Sequence, residues 1–183
     1  MRVSFVEVGD LADETRVTRY YEGLTDLWAS IHIAGTFAAA PIARSDKALL
    51  MEQLETNLIS AYLCSRSAAL TLRRLGSGGR VVNVAARQAL EPRLGSGSVA
   101  YTIAKAAVAA MTTALGAELA NENILVNAVA PSIMDTPGNR EAMPKADSNS
   151  WPKVEDVAAT ILFLASPENT VTRGAVVPVY GRS

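Results

Sequence analysis

Short apolar runs alternate with helical patterns along the chain, and this alternation restricts the fold more than any other feature. Val3–Val8, Trp28–Ile33, Arg80–Val84, Leu125–Val129 and Ala175–Val179 read as short strands. Between them the spacing of apolar residues predicts helices over Glu14–Glu22, Lys47–Leu75, Ala100–Asn121 and Val154–Ala165. In the second helix Leu54, Leu58, Ala61, Ser65, Ala68, Leu72 and Leu75 step by fours and threes. The third carries two stripes: Ala104, Val108, Met111, Leu115 and Leu119, and a smaller-residue set of Ile103, Ala107, Ala110 and Ala114. Two stripes imply burial against both a sheet and another helix. Strands alternating with helices imply an α/β fold with a parallel sheet and right-handed crossovers. A chain of 183 residues suits one domain, taken as 1–183. One long irregular stretch is expected, Pro131–Trp151. It follows the carboxyl end of a strand, where open α/β sheets bind ligands.

Charge and composition narrow the function. A net charge of −1 provides no basic excess for nucleic acid. Apolar content near one half with moderate charge suits a soluble globular protein. No apolar run is expected to approach the ~18 residues of a membrane span, and the N-terminus reads as a strand rather than a signal peptide. A single cysteine, Cys64, excludes an internal disulfide and fits a reducing, cytoplasmic compartment. It lies in a helical pattern and is read as a buried structural thiol. With His32 as the sole histidine, neither a His-based metal site nor a Ser-His-Asp triad is supported, so no metal is expected.

The chemistry points to Tyr101-Thr-Ile-Ala-Lys105. Four apart on a helix, the Tyr and Lys share one face. An ammonium there is expected to lower the phenol pKa and make Tyr101 a usable acid or base. The spacing alone is common, but here it stands between Val81-Val-Asn-Val-Ala-Ala86 and Asn127-Ala-Val-Ala-Pro131.

With those flanks the chain resembles the short-chain dehydrogenase/reductases over nearly its whole length. Tyr101 and Lys105 match that family's catalytic pair. Asn57, in Thr56-Asn-Leu-Ile-Ser60, matches the helix asparagine of its proton relay. His32-Ile-Ala-Gly35 stands where the family has Asn-Asn-Ala-Gly, and Asn127–Thr136 matches the segment that contacts the nicotinamide. The resemblance implies a Rossmann-like sheet and hydride transfer between NAD or NADP and a carbonyl, imine or alcohol carbon of a small-molecule substrate. It makes Tyr101, Lys105 and Asn57 catalytic. It assigns cofactor contacts to Asp10, Ala34, Gly35, Pro131, Ile133 and Thr136, together with Tyr101 and Lys105. It also implies a homodimer or homotetramer joined through helices 47–75 and 100–121.

Three departures from the family pattern stand out. Ala86 occupies the place of the family's substrate-orienting serine. The candidate substrate contacts are Ala86 and Gln88, with Ser96 and Ser98 as possible hydroxyl substitutes. An alanine there, with Asp135–Asp147 and Trp151, partly resembles the quinonoid dihydropteridine reductase branch. His32 replaces an asparagine and is expected to be a hydrogen-bonded packing residue. Finally, Val6-Glu-Val-Gly-Asp10 matches the family's third strand. Two strand–helix units, on the order of 60 residues, with the Gly-rich pyrophosphate turn, are therefore expected to be missing. Gly76-Ser-Gly-Gly79 reads as a turn into a strand, and Gly95-Ser-Gly97 as a substrate-loop hinge. Val3–Val8 is then expected to pair with Trp28–Ile33, and Val157, Ile161 and Leu164 to form an exposed apolar patch. Two function classes remain: an oxidoreductase, or a cofactor-deficient remnant that dimerises. Proton transfer or dehydration without redox chemistry is a third, lesser reading.

Overall fold

The computed structural model describes residues 5–183. Four strands form one parallel sheet in chain order: β1 (Ala29–His32), β2 (Gly79–Val84), β3 (Ile124–Pro131) and β4 (Val176–Val179). Asn83 of β2 stands opposite His32 on one side and Ala128 of β3 on the other. β2 and β3 are buried along almost their whole length, because helices cover both faces of the sheet.

One face carries α1 (Glu14–Glu22), α2 (Lys47–Gln53), which continues through a π-helical turn (Leu54–Ile59) into α3 (Ser60–Leu75), and, after the short α4 (Arg87–Leu90), α5 (Val99–Glu118). Val17 and Tyr21 of α1 and Leu63, Ala68 and Leu72 of α3 pack on Val81 and Val126. Asp13 caps α1 by accepting from the Arg16 amide at 3.1 Å, and Asp46 caps α2 by accepting from Leu49 at 2.9 Å. α3 ends at Gly76, whose φ of 71° is the left-handed cap that glycine adopts without strain. After β3 come α6 (Pro137–Ala142) and α7 (Val154–Ala165). Among the described residues α7 covers the other face, with Val157, Ile161 and Leu164 against Val82 and Val129. The architecture is the expected Rossmann-like α/β sheet.

Four expectations change. The start of Val3–Val8 lies outside the described residues. Phe5–Val8 forms no strand, and Phe5 and Val6 are exposed at 96% and 65%. Among the described residues β1 pairs only with β2. The Val157, Ile161 and Leu164 stripe is buried, because it faces the sheet directly. Val154, Leu162 and Phe163, turned away from it, are the large exposed apolar residues of α7. Pro131–Trp151 is not wholly irregular. Thr136 caps α6, and Pro137 occupies the first helical position, where its missing N–H costs nothing. α5 does reach the length and mean hydropathy (1.3) of a membrane span. Thr102, Lys105 and Gly116 interrupt its apolar residues, so the helix does not stand out as one apolar run. In the fold Ala104, Lys105, Val108 and Thr112 are buried.

Candidate active site

The carboxyl ends of β1, β2 and β3 bring the marked residues together. Lys105 projects from α5 to the end of β2, where its Nζ donates to the Val84 carbonyl at 2.8 Å. Burial pulls the Lys105 pKa down to about 8. Its Nζ lies 5.9 Å from the centroid of the Tyr101 ring, one helical turn away. The expected lowering of Tyr101 is not found: burial pushes its pKa up to about 12. The ammonium is engaged by a β2 carbonyl, and desolvation of the phenolate prevails. At neutral pH Tyr101 is therefore a phenol, the proton-donating form. Its hydroxyl makes no hydrogen bond to another described side chain or backbone group, and its ring forms a T-shaped pair with that of Phe37, the centroids 5.0 Å apart.

Asn57 sits in the π turn, which inserts one residue into an otherwise continuous helix and turns the side chain toward the loop after β1. Its Nδ2 donates to the carbonyls of Thr36 (3.0 Å) and Gln53 (3.1 Å), which fixes the amide orientation. Its Oδ1 is buried without a partner among the described residues. Gly35 is what makes room there. A Cβ on Gly35 would stand 2.5 Å from Asn57 Oδ1 and 3.3 Å from Lys105 Nζ. Gly35, Asn57 and Lys105 thus form a cradle with an open acceptor and an ammonium that has donors to spare. Gly35→Ala should destabilise the fold by about 1–3 kcal/mol, since the buried Asn57 cannot retreat. A urea denaturation midpoint matching that of the parent chain would count against this packing.

The other expected site residues are more dispersed in role. Ala86 is buried just after β2 and presents a methyl group where a hydroxyl was sought. Gln88 is half-buried on α4. Ser96 is exposed, and Ser98 directs its Oγ back to the Gly95 carbonyl at 3.3 Å, so its hydroxyl is occupied within its own turn. Gly95 is no hinge: it is buried against Thr102 of α5, and any side chain would collide there. Gly97, at φ 79°, shapes the same turn. Asp10 is exposed ahead of α1 and accepts from the Ala12 amide at 2.9 Å. Ala34 and Ile133 are exposed near the ends of β1 and β3, whereas Pro131 is buried. The Thr136 hydroxyl accepts from the Asn139 amide at 3.2 Å and so serves α6. Gly76–Gly79 lies at the amino end of β2, the opposite end of the strand from Val84 and Lys105.

His32 is the packing histidine expected. Nδ1 lies 2.8 Å from Asn83 Oδ1, and Nε2 lies 2.8 Å from Ser30 Oγ and 3.3 Å from the Tyr21 hydroxyl. Asn83 Nδ2 donates to Thr112, which leaves Oδ1 as an acceptor. Nδ1 therefore carries the proton and Nε2 accepts. Burial lowers the His32 pKa to about 4. Residues that sequence reasoning missed are Gln53, Thr36 and Phe37. Gln53 is fully buried and donates to the Thr36 hydroxyl at 3.3 Å. The only signal in the sequence was a lone aromatic in a run of small residues, Thr36-Phe-Ala-Ala-Ala40.

Residues 2–181 match the family model described as enoyl-(acyl carrier protein) reductase. A short-chain type dehydrogenase/reductase from Picea abies is 33% identical over 94% of this chain and 68% of its own length. Galactitol 2-dehydrogenase from Rhizobium johnstonii is 31% identical over 95% of this chain and 73% of its own. A candidate NAD(P)-dependent gluconate 5-dehydrogenase from Beutenbergia cavernae, solved with NADP at low occupancy, superposes with a TM-score of 0.84 at 28% identity. That match covers 94% of this chain and 74% of the other.

Proposed function

The chain belongs to the short-chain dehydrogenase/reductase family, and from that premise we propose that it is an NAD(P)-dependent oxidoreductase in which Tyr101 is the acid–base group. The observation that carries this reading is the Tyr101 hydroxyl, without a partner among the described residues, near buried Lys105 at the carboxyl ends of the strands. The NADP recorded for the Beutenbergia relative supports the cofactor class. The cradle of Gly35, Asn57 and Lys105 suits a hydroxyl-rich group such as the nicotinamide ribose. It offers a buried acceptor, free ammonium protons and no side chain at Gly35. Ala34, Pro131, Ile133 and Thr136 would border the same group, and Asp10 its adenine end.

The nicotinamide, when bound, supplies or accepts the hydride. In the reducing direction Tyr101 gives its proton to the oxygen or nitrogen of the substrate, and in the oxidising direction it takes one back. Lys105, with a pKa of about 8, is placed to exchange protons near neutral pH. Asn57 Oδ1 would hold the relay that leads away from it. The substrate is a small molecule with a carbonyl, imine or alcohol. A quinonoid pterin is the narrower version suggested by Ala86, although Trp151 is buried and its role there is packing.

A second reading rests on the placement of Gly76–Gly79 at the far end of β2, where it cannot cradle a pyrophosphate beside this site. In that reading the chain is a non-catalytic subunit that dimerises, or tetramerises, through helices 47–75 and 100–121. Tyr62 and Leu70 of α3 and Ile103 of α5 are exposed apolar residues on those helices. Titration of the purified chain with NADH and NADPH separates the two. Micromolar binding defeats the non-catalytic dimerising subunit, and no binding at millimolar cofactor defeats the oxidoreductase.

A further inference from the structure

We propose that Phe37 is a recognition wall of this site and selects substrates whose reacting C=O or C=N is attached to a planar, unsaturated ring. The proposal rests on the acid–base role of Tyr101, and it concerns what binds beside that residue.

Phe37 is 62% exposed. Exposure by itself decides nothing, since single apolar residues on a surface are ordinary. Its placement and its anchoring are what matter. The ring stands 5.0 Å from that of Tyr101 at an interplanar angle of 82°. That edge-to-face arrangement is favoured by the aromatic quadrupole. With more than half of its surface exposed, Phe37 leaves aromatic area free beside the Tyr101 phenol.

The backbone that carries Phe37 is tied down on both sides. Thr36 gives its carbonyl to Asn57, and its hydroxyl meets Thr56 Oγ1 at 2.8 Å and Gln53 Nε2 at 3.3 Å. Three residues beyond Phe37, Ala40 makes a β-bridge with Ser98, at the head of the helix that bears Tyr101. The segment is therefore a strap fixed to the π turn at one end and to α5 at the other. A fixed backbone reduces the entropy lost when a ligand stacks on the ring.

The remaining groups point to the same ligand class. Ala38 and Ala39 add no polar atom to the strap. Ala86 presents a methyl group, and the Ser98 hydroxyl is turned to Gly95. Beyond Gln88 and Ser96, a polyhydroxylated aliphatic substrate would find few side-chain partners here, and most of the polar groups it buried would go unpaired. A ring that offers a π face needs none, and it can present one carbonyl to Tyr101.

The test compares two ketones with the same reacting group, acetophenone and cyclohexyl methyl ketone, by ligand-observed saturation-transfer NMR, with and without NADP. The parent chain should bind acetophenone about 3- to 10-fold more tightly than its saturated counterpart. Phe37→Ala should lose that preference and Phe37→Tyr should keep it, with unchanged melting temperature establishing that each variant is folded. Equal binding of the two ketones, binding of neither, or a preference that survives in folded Phe37→Ala would overturn the proposal. NADPH oxidation, followed in parallel samples that hold NADPH in place of NADP, reports separately on the oxidoreductase reading. A ring preference without turnover leaves Phe37 in place and removes the redox function, whereas turnover without a ring preference does the reverse.

Discussion

Tyr101→Phe should lower cofactor-dependent turnover by about 10²–10⁴-fold while changing stability by less than about 0.5 kcal/mol. The separation of the two effects follows from the surroundings of the phenol. Its hydroxyl has no hydrogen-bond partner among the described residues, so removing it strands no donor or acceptor. The ring and its edge-on contact with Phe37 at 5.0 Å are retained in the variant. The burial that pushes Tyr101 up to about 12 favours the neutral phenol, and phenylalanine imitates that form in everything but the proton. The measurement is single-turnover reduction at saturating NADPH, together with thermal unfolding of both proteins. Turnover within a few-fold of the parent chain would remove Tyr101 from the chemistry. A large drop in melting temperature would instead make it a packing residue.

The second large effect concerns acid. His32 titrates at about 4 in the folded chain, against about 6.5 when exposed in the unfolded chain. Between those values the unfolded chain binds the extra proton and the folded chain does not. Stability contributed by neutral His32 is therefore complete above pH 6.5 and is lost as the pH falls toward 4. The difference in pKa corresponds to about 3 kcal/mol across that window. The cause is burial. The groups bonded to the ring are the Ser30, Tyr21 and Ser65 hydroxyls and the Asn83 amide, all neutral. Burial also holds the nearby Tyr21 phenol and Cys64 thiol in their neutral forms. His32→Asn removes the titration while keeping a polar side chain. Urea denaturation at pH 7, 6, 5 and 4 should show the parent chain losing about 3 kcal/mol more than the variant. Parallel pH profiles would show that His32 does not govern acid sensitivity.

Much of this fold is legible from residue order. Glu14–Glu22 and Val154–Ala165 are helices over the spans that apolar spacing indicates. The four strands from Trp28 onward appear within one or two residues of their expected ends. The helices are read well because each has one side that must be buried, and β2 and β3 because, buried on both faces, they stand out as continuous apolar runs. The π turn at Leu54–Ile59 left no such trace. A helix with one inserted residue still has apolar residues about every three or four positions, so Asn57 could be marked by resemblance but not by its geometry. The same limit applies to Phe37 and Thr36, whose significance comes from contacts with residues 64 and 20 positions further along the chain.

The alternation of apolar runs and helical stripes by itself determined a parallel α/β sheet, and it placed Tyr101 and Lys105 on one face of a long helix. Both outcomes follow from local periodicity and the need to bury apolar surface. Only the tertiary structure decided the protonation behaviour of that pair and the walls around it. The Val84 carbonyl takes the Lys105 ammonium, burial raises Tyr101 rather than lowering it, and Ser98 turns its hydroxyl inward. Desolvation and hydrogen-bond pairing depend on which distant atoms become neighbours, and sequence spacing carries no record of that.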